Sequence, residues 1–185
     1  MWILSWTLAV AGWFIWLYPF IFRAPHGQQR NSITLAGPTR LGLLLEVLAI
    51  FLAFLFRLPV ETPPGAVRIA IAAALQVACS VMGWQAVVHL GRQFRVNAGL
   101  YEDHQLVQTG PYALVRHPIY TSLLGMLVST IVLMTRWQWA PLCLALFIAG
   151  TEIRVRCEDG LLASRFGDRF QAYRNAVPAY LPFVR

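Results

Sequence analysis

Charged residues are scarce in this sequence: they make up only 12% of its 185 residues, while 58% of the residues are hydrophobic. Soluble domains carry roughly 25% charged residues. A soluble domain of this size exposes much of its surface to water, and that surface needs polar side chains to cover it. The composition therefore excludes a water-soluble globular protein and predicts that lipid surrounds most of the chain.

Lysine is absent, so that all 15 basic residues are arginines and the formal net charge is +7. A basic excess is also a feature of nucleic-acid-binding proteins, but there it is concentrated in a polar patch or stripe. Here the arginines lie at the ends of hydrophobic blocks, where cationic side chains contact lipid headgroups and determine topology. We therefore expect membrane lipids as partners and no nucleic acid.

Cysteine is also rare: Cys79, Cys143 and Cys157 lie far apart, and no pair has the Cys-x-x-Cys spacing of a metal site. The sequence contains no glycine-rich dinucleotide loop, no phosphate-binding loop and no Ser-His-Asp set. We expect three reduced thiols and no bound metal, and these absences give no indication of a Rossmann or P-loop nucleotide site.

Long apolar blocks predict an all-α integral membrane protein with about five transmembrane helices. A helix needs about 20 apolar residues to cross the hydrocarbon layer, and lipid does not tolerate open backbone. The last two spans are joined by a short turn at Arg136 and form a helical hairpin, and the fifth continues as an amphipathic C-terminal helix towards Arg165. The predicted spans are Trp2–Phe22, Leu41–Leu58, Val67–Leu90, Ile119–Thr135 and the segment from Trp137 to about Gly150.

The distribution of arginines predicts the orientation in the membrane. One side holds three arginines, Arg57, Arg68 and Arg136, and the other side holds the remaining twelve. Cytoplasmic loops carry the excess of positive charge, so the N-terminus is expected outside and the C-terminus inside. We expect the protein to lie in a bacterial inner membrane.

Two polar stretches, residues 91–120 and the tail after the fifth span, fall on this cytoplasmic side. Because the fourth and fifth helices form a hairpin, Arg116 and His117 should approach Glu158 and Asp159 at the membrane surface. The predicted result is a cluster of one arginine, one histidine and two acids from distant parts of the sequence.

These polar residues also have purely structural interpretations. Arg116 and His117 could simply mark the start of a span, with Pro118 in the first helical turn, where its missing N–H costs nothing. Glu46, near the start of the second span, could pair with an arginine or line a cavity. The other structural interpretations are surface ion pairs for Glu152–Arg156 and Arg154–Glu158, a helix cap at Asp168 with Gln171, and an interfacial helix for Phe166, Phe170, Tyr173, Tyr180 and Phe183.

Several short motifs follow one another in order from about Leu90 to the C-terminus. They are His104-Gln105-Leu106-Val107, Gly110-Pro111-Tyr112 and Val115-Arg116-His117-Pro118-Ile119-Tyr120, followed after the apolar hairpin by Arg156-Cys157-Glu158-Asp159, Leu161-Leu162, Phe166-Gly167, Tyr173, Val177-Pro178 and Leu181-Pro182. In this order they resemble the isoprenylcysteine carboxyl methyltransferase family and its relatives among the phospholipid methyltransferases. The resemblance covers roughly half of the chain.

The resemblance implies transfer of a methyl group from S-adenosylmethionine to a lipophilic acceptor. Carboxylate O-methylation of the isoprenylcysteine type is the reaction that it implies. Methylation of a phospholipid amine or a phenol is one alternative, and a non-enzymatic membrane scaffold or interaction protein is another. The chain would then be a single domain, 1–185, in which residues 1–90 form three spans and residues 91–185 form the cofactor-binding catalytic part.

A non-Rossmann cofactor site, formed by the loop after the third helix and the C-terminal helix, is also implied. The guanidinium of Arg116 is permanently charged and has a forked arrangement of donors, which suits a carboxylate acceptor. An amine or phenol would instead need proton removal by His117 or Glu158. The resemblance assigns catalysis to Arg116 and Glu158, and cofactor binding to Leu106, Val107, Gly110, Tyr112, His117, Pro118, Tyr120 and Glu158.

Two residues depart from the family pattern. The family usually has a glycine where Ser122 stands and a glutamate where Asp159 stands. Ser122 should add a small side chain at the packing face of the fourth helix, and Asp159 should shorten the reach of the second acid. Neither departure removes Arg116, His117 or Glu158.

Overall fold

The computed structural model describes residues 1–22, 32–34, 36–94, 99–101 and 104–181. Within these residues the chain forms six α-helices, three of which are long and apolar enough to cross a membrane. The prediction of an all-α integral membrane protein is confirmed. The helices are α1 (Trp2–Phe22), α2 (Ala36–Leu55), α3 (Ala66–Leu90), α4 (Pro118–Met134), α5 (Ala140–Phe166) and α6 (Asp168–Ala176).

Each predicted span corresponds to one helix. The bounds of α1 are those predicted, because its apolar run of 21 residues is free of charge. α4 has only 17 residues and is a shorter apolar helix. α5 is apolar in its first half, and its second half, from Thr151 onwards, carries the acids and arginines of the second polar stretch. The charged end of α5 therefore lies on the same side as the start of α4.

A short antiparallel ribbon on that side was not predicted from the sequence. Strand β1 (Ser32–Thr34) pairs with β2 (Gly99–Tyr101), and Ile33 lies opposite Leu100 in the register. β1 precedes α2 and β2 follows α3, so the ribbon joins the two connections that lie beside the polar region.

α4 and α5 follow each other through the short 3₁₀ turn Trp137–Trp139, as predicted. The two helices nevertheless pack mainly on other partners, since α5 lies against α2 and α4 lies against α3. Gly42 and Gly150 permit the close approach of α2 and α5, because a Cβ on Gly150 would lie 2.5 Å from the Gly42 carbonyl oxygen. Small residues at such crossings are typical of helices that associate in lipid.

The opposite side of the bundle is closed by backbone hydrogen bonds between the two turns there. Leu58 N–H donates to the Met134 carbonyl at 2.7 Å, and Arg136 N–H donates to the Phe56 carbonyl at 2.9 Å. Arg68 Nε donates to the Val132 carbonyl at 2.6 Å. These bonds fix the far ends of α2, α3 and α4 relative to one another.

α6 is amphipathic, but two details predicted for it are wrong. Asp168 is not the helix cap: Gly167, with a φ of +51°, occupies that position, and Asp168 is the first helical residue. Phe170, Tyr173 and Tyr180 are buried against the protein instead of lying on the bilayer. Phe183 lies outside the described residues.

Candidate active site

A tight turn between the ribbon and α4 forms one wall of the site. Gly110, with a φ of +60°, opens the predicted turn as a 3₁₀ helix that ends at Ala113. The His89 ring lies directly against Gly110, where a Cβ would collide with it. Pro118 is buried in the first turn of α4. Gly110 and Pro118 therefore shape the backbone here, and neither is among the residues that line the cavity described below.

The chain after α6 pairs with this wall along its backbone. Arg116 N–H donates to the Pro178 carbonyl and His117 N–H donates to the Ala179 carbonyl, both at 2.8 Å. Thr121 Oγ1 donates to the Tyr180 carbonyl at 2.6 Å. The C-terminal segment is thereby held across the start of α4.

Arg116, His117, Glu158 and Asp159 converge as the sequence predicted. Asp159 contacts both basic residues: its Oδ2 lies 2.9 Å from Arg116 Nη2, and its Oδ1 lies 2.9 Å from His117 Nε2. The other ring nitrogen of His117, Nδ1, lies 3.3 Å from Glu158 Oε2. His117 thus lies between two carboxylates, and its side chain is only 6% exposed.

The two carboxylates determine the charge of His117. Burial alone would lower its pKa, but hydrogen bonds and charge interactions with Asp159 and Glu158 outweigh burial and raise the pKa of His117 to about 9. Burial likewise opposes the charge of Asp159, but His117 and Arg116 outweigh it and lower the pKa of the Asp159 carboxyl. At neutral pH His117 is therefore an imidazolium that donates from both nitrogens, and it has no free site to act as a base.

Arg116 is largely committed to holding the C-terminal segment. Its Nη1 donates to the Val177 carbonyl at 2.5 Å and to the Arg174 carbonyl at 3.2 Å, while Nη2 contacts Asp159. Nε is buried and has no hydrogen-bond partner among the described residues. Three of its five N–H donors thus contact described residues, and the buried donor on Nε is available for a ligand.

A second network extends from Glu158 into the bundle. The Tyr120 hydroxyl donates to Glu158 Oε1 and accepts a hydrogen bond from Arg154 Nε at 2.8 Å. Arg154 Nη1 lies 3.4 Å from Glu46 Oε2, and Thr151 Oγ1 donates to Glu46 Oε1 at 2.9 Å. Both structural alternatives considered for Glu46 therefore hold, since it pairs with an arginine and also lines the cavity.

The interpretation of Arg154 as part of a surface ion pair is wrong, because this side chain is buried against Glu46 and Tyr120. The equivalent interpretation of Arg156 is confirmed: its Nε lies 3.2 Å from Glu152 Oε2, and both side chains are exposed. The spacing of Arg154 and Glu158 places both on one face of α5, but it does not distinguish a surface ion pair from a buried network.

A cavity of about 450 Å³ joins these networks to the membrane-spanning helices. This volume lies within the usual range of small-molecule sites. Its polar half contains seven of the predicted site residues, and its apolar half, which the sequence analysis did not predict, comes from α1, α2 and α4. The predicted residues are Leu106, Val107, Tyr112, Arg116, His117, Tyr120 and Glu158, and the apolar ones are Trp13, Trp16, Leu17, Phe20, Leu43, Val47, Ile50, Ile119 and Leu123.

Several buried polar atoms of the residues lining this cavity have no hydrogen-bond partner within the described part of the chain. They are Gln93 Oε1, Tyr112 Oη, Arg116 Nε and Glu46 Oε2. Native proteins leave few such atoms without a partner, and a ligand is one explanation for them. Burial raises the pKa of Tyr112 well above its ordinary value, so its hydroxyl is a donor. The cavity therefore offers two donors and two acceptors to a bound molecule.

Ser122 has a specific partner on α1. Its hydroxyl accepts a hydrogen bond from Trp16 Nε1 at 3.1 Å and donates to the Ile119 carbonyl at 2.8 Å, and its side chain is completely buried. A glycine here would remove the acceptor of the Trp16 indole, which lines the apolar half. The departure from the family pattern thus fixes one aromatic wall of the cavity.

Similarity to known proteins covers this same region. A family model described as the isoprenylcysteine carboxyl methyltransferase (ICMT) family matches residues 71–164. The match begins in α3, earlier than the motifs did, and ends in α5, so that α1, α2 and α6 lie outside it. All four residues of the charged cluster lie inside it.

Three curated relatives are similar over parts of their length. The chain is 32% identical over 112 residues to a protein-S-isoprenylcysteine O-methyltransferase of Schizosaccharomyces pombe, covering 54% of this chain and 43% of the relative. It is 31% identical over 88 residues to the protein of the same name from Xenopus laevis, covering 45% and 29%. It is 37% identical over 82 residues to the cobalt-zinc-cadmium resistance protein CzcN of Cupriavidus metallidurans, covering 44% and 37%. The chain thus spans less than half the length of each of these relatives.

The family match accounts for half of the chain and includes both helices that carry the charged cluster. The motifs recognised in the sequence lie largely within it, and seven of the predicted site residues line one cavity. The chain belongs to the isoprenylcysteine carboxyl methyltransferase family.

Proposed function

We propose that this protein is an S-adenosylmethionine-dependent methyltransferase that acts on a lipophilic acceptor at the cytoplasmic side of the membrane. The observation that carries the proposal is one cavity in which Arg116, His117 and Glu158 of the family-matched segment meet an apolar wall formed by α1, α2 and α4. In this proposal the polar cofactor lies against the polar half and the lipophilic acceptor lies against the apolar half. Carboxylates and proton-bearing nucleophiles are both acceptor classes compatible with this function.

The polar half fits S-adenosylmethionine, whose groups include an ammonium, a carboxylate, ribose hydroxyls and an adenine. The N–H of Arg116 Nε and the hydroxyl of Tyr112 are donors without a partner among the described residues, and Gln93 Oε1 is an acceptor. Glu158 suits an ammonium or hydroxyls as a charged acceptor. Leu106 and Val107 line the same half, where apolar side chains would contact the adenine.

The apolar half suits an acceptor dissolved in the membrane. Trp13, Trp16 and Phe20 of α1 form one side, and Val47 and Ile50 of α2 form another. An alkyl or isoprenoid tail placed there is removed from water at about 25 cal/mol per Å² of apolar surface. The tail would position the acceptor, while its reactive group points towards the charged cluster.

When bound, S-adenosylmethionine supplies an electrophilic methyl group on a sulfonium. The protein residues would contribute by holding donor and acceptor in line, because near-attack positioning can supply about 7–11 kcal/mol of the barrier. Asp159 keeps Arg116 and His117 in place, and Tyr120 and His117 keep Glu158 in place. These hydrogen bonds and ion pairs give the cluster a fixed geometry before any ligand binds.

We also propose that the site faces the cytoplasm. The charged cluster, α6 and the ribbon lie on the side to which the positive-inside distribution of arginines assigns the C-terminus. The proposal places the N-terminus outside and assigns the protein to a bacterial inner membrane.

Calorimetric titration of S-adenosylmethionine into detergent-purified protein tests the proposal. We expect saturable binding to the wild type, weakened at least about tenfold by Glu158→Gln because a charged hydrogen bond is lost. Glu61→Gln is the matched control, since Glu61 is an exposed acid in the loop after α2 on the opposite side of the bundle. A well-folded wild type that does not bind the cofactor would show that the family scaffold serves a non-enzymatic role here.

A further inference from the structure

Glu46 stands in an otherwise apolar row on α2. The row consists of Leu43, Glu46, Val47 and Ile50, all of which line the cavity, and their spacing places them on one helix face. The Glu46 side chain is 1% exposed. An acid buried in a membrane-spanning helix is costly and is by default a candidate for a function.

The two oxygens of Glu46 differ in their contacts. Oε1 accepts a hydrogen bond from Thr151 Oγ1 at 2.9 Å. Oε2 lies 3.4 Å from Arg154 Nη1, beyond good hydrogen-bond distance for this donor, and it has no hydrogen-bond partner among the described residues. One oxygen thus anchors the carboxylate, and the other keeps its capacity to accept a proton or a hydrogen bond.

The crossing of α2 and α5 is shaped to hold this arrangement. Arg154 lies against Gly42, where a Cβ would be 2.6 Å from Arg154 Cγ. Its Nε is fixed by the Tyr120 hydroxyl. Arg154 therefore lies between Glu46 and the Tyr120 hydroxyl, which in turn donates to Glu158.

The charges around the cavity disfavour a carboxylate acceptor. Arg116 is paired with Asp159, His117 lies between two acids, and Arg154 is paired with Glu46 itself. In the described lining each of these cations therefore already faces an acid. An acceptor carboxylate in the cavity would therefore have to share a cation with an acid that already contacts it.

The other candidate bases have other roles. Glu158 is assigned to the cofactor in the proposed function, and its Oε1 accepts from the Tyr120 hydroxyl while Oε2 lies 3.3 Å from His117. His117 itself is an imidazolium at neutral pH. Glu46 lies outside residues 71–164, so the family match does not account for it. Glu46 lies beside the apolar half and has one oxygen without a hydrogen-bond partner among the described residues. It is therefore suited to accept the proton of a nucleophile that carries an O–H or N–H group.

We propose that Glu46 is the general base of this site and that the acceptor is a lipophilic molecule whose nucleophile is an O–H or N–H group. The inference rests on the proposed function and names its acceptor class. In the transfer, the bond from the oxygen or nitrogen to the methyl carbon forms as the carbon–sulfur bond breaks, and that electron pair stays on the sulfur. The proton of the nucleophile moves to Glu46 Oε2, which releases it to water after the product leaves.

The test uses the full chain in lipid nanodiscs with methyl-labelled S-adenosylmethionine. The acceptors are 4-dodecylphenol, N-methyldodecylamine and N-acetyl-S-farnesylcysteine, which present an O–H, an N–H and a carboxylate. We expect the phenol or the amine to be methylated at least about tenfold faster than the carboxylate. Glu46→Gln should slow that transfer by about 100-fold, the usual contribution of a general base, and Glu46→Asp by less, whereas Glu61→Gln should leave it unchanged.

Acceptor binding gives a readout that does not depend on transfer. Trp13 and Trp16 line the cavity, so tryptophan fluorescence of the cofactor-free protein follows occupation of its apolar half. Glu46→Gln should weaken binding of 4-dodecylphenol by about tenfold, because a hydrogen bond to a charged group is lost. The same change should not weaken binding of N-acetyl-S-farnesylcysteine.

The outcomes separate this inference from the proposed function. Three results would each overturn the inference while cofactor binding persists. They are a transfer rate to the carboxylate that equals or exceeds the rates to the other two acceptors, no transfer to either proton-bearing acceptor, and a Glu46→Gln variant that is as fast as the wild type. Should Glu46→Gln fail to fold, Glu46→Asp and the wild-type acceptor preference still decide. Absence of cofactor binding in the wild type would instead overturn the proposed function.

Discussion

Asp159 Oδ1 lies 2.9 Å from His117 Nε2, and this contact joins the two polar stretches of the sequence at one point. The same carboxylate also holds Arg116, so a single acid fixes both basic residues of the turn before α4. The sequence suggested that an aspartate here would shorten the reach of the second acid. The α5 helix approaches closely enough for the shorter side chain to contact both partners.

Asp159→Asn should destabilise the fold, because it leaves Arg116 and His117 without their shared counter-charge. Removing one partner of a buried pair costs about 3–5 kcal/mol, and we expect a loss of about 3 kcal/mol in the free energy of unfolding. Denaturant unfolding in detergent, followed by tryptophan fluorescence, measures it. Asp168→Asn, at an exposed acid in the first turn of α6, is the control, and an equal effect of both changes would contradict the role of Asp159.

The charge of His117 predicts a pH dependence of stability. Its pKa is about 9 in the folded protein and 6.5 in the unfolded chain, so the folded state binds the proton more tightly. The stabilisation is complete below pH 6.5 and is lost as the pH rises through 9, amounting to about 3 kcal/mol. Unfolding measured between pH 6 and 10 should show this decline in the wild type.

His117→Gln should remove the decline, and His89→Gln should retain it, because His89 is exposed at the end of α3 and its Nδ1 lies 2.8 Å from the Gln85 carbonyl oxygen of the same helix. A wild type that is equally stable at pH 6.5 and at pH 9.5 would show that His117 is not charged in the fold.

Tyr112 and Tyr173 offer a matched comparison between binding and stability. The Tyr112 hydroxyl has no partner among the described residues, whereas the Tyr173 hydroxyl donates to the Tyr112 carbonyl at 2.5 Å. Tyr112→Phe should weaken S-adenosylmethionine binding by about tenfold without loss of stability, because it removes a buried donor reserved for a ligand. Tyr173→Phe should instead lower the free energy of unfolding by about 1 kcal/mol. Calorimetry and unfolding of both variants check this, and unchanged cofactor affinity in Tyr112→Phe would place the ligand elsewhere.

The sequence predicted the helices well because lipid imposes a simple rule on length and polarity. α1 has the predicted bounds, since no charge or glycine-rich break competes with its apolar run. The convergence of Arg116 and His117 with Glu158 and Asp159 was also predictable, because the hairpin connection leaves little freedom in where α5 ends. These are consequences of local sequence and short connections.

Arg154 could not be placed in the same way. Its spacing from Glu158 fits a surface ion pair as well as a buried network, and the choice depends on how α5 is rotated against α2. That rotation is set by the Gly42–Gly150 approach, a contact between residues distant in sequence. The apolar half of the cavity was missed for the same reason, because it is formed where α1 and α2 meet the start of α4.

The approach of α2 and α5 gives the last prediction. A Cβ on Gly42 would lie 2.6 Å from Arg154 Cγ and 2.7 Å from the Gly150 carbonyl oxygen. Gly42→Ala should therefore force the helices apart and cost about 1–3 kcal/mol, the usual penalty of overpacking. It should also disturb the Glu46–Arg154 pair and so reduce acceptor binding. Gly37→Ala is the matched control on the same helix, because nothing lies within 4 Å of a Cβ there. The free energy of unfolding of both variants in detergent measures this cost. If Gly42→Ala is as stable as Gly37→Ala, then α2 and α5 can separate without cost. Their close contact would then not hold Arg154 in place.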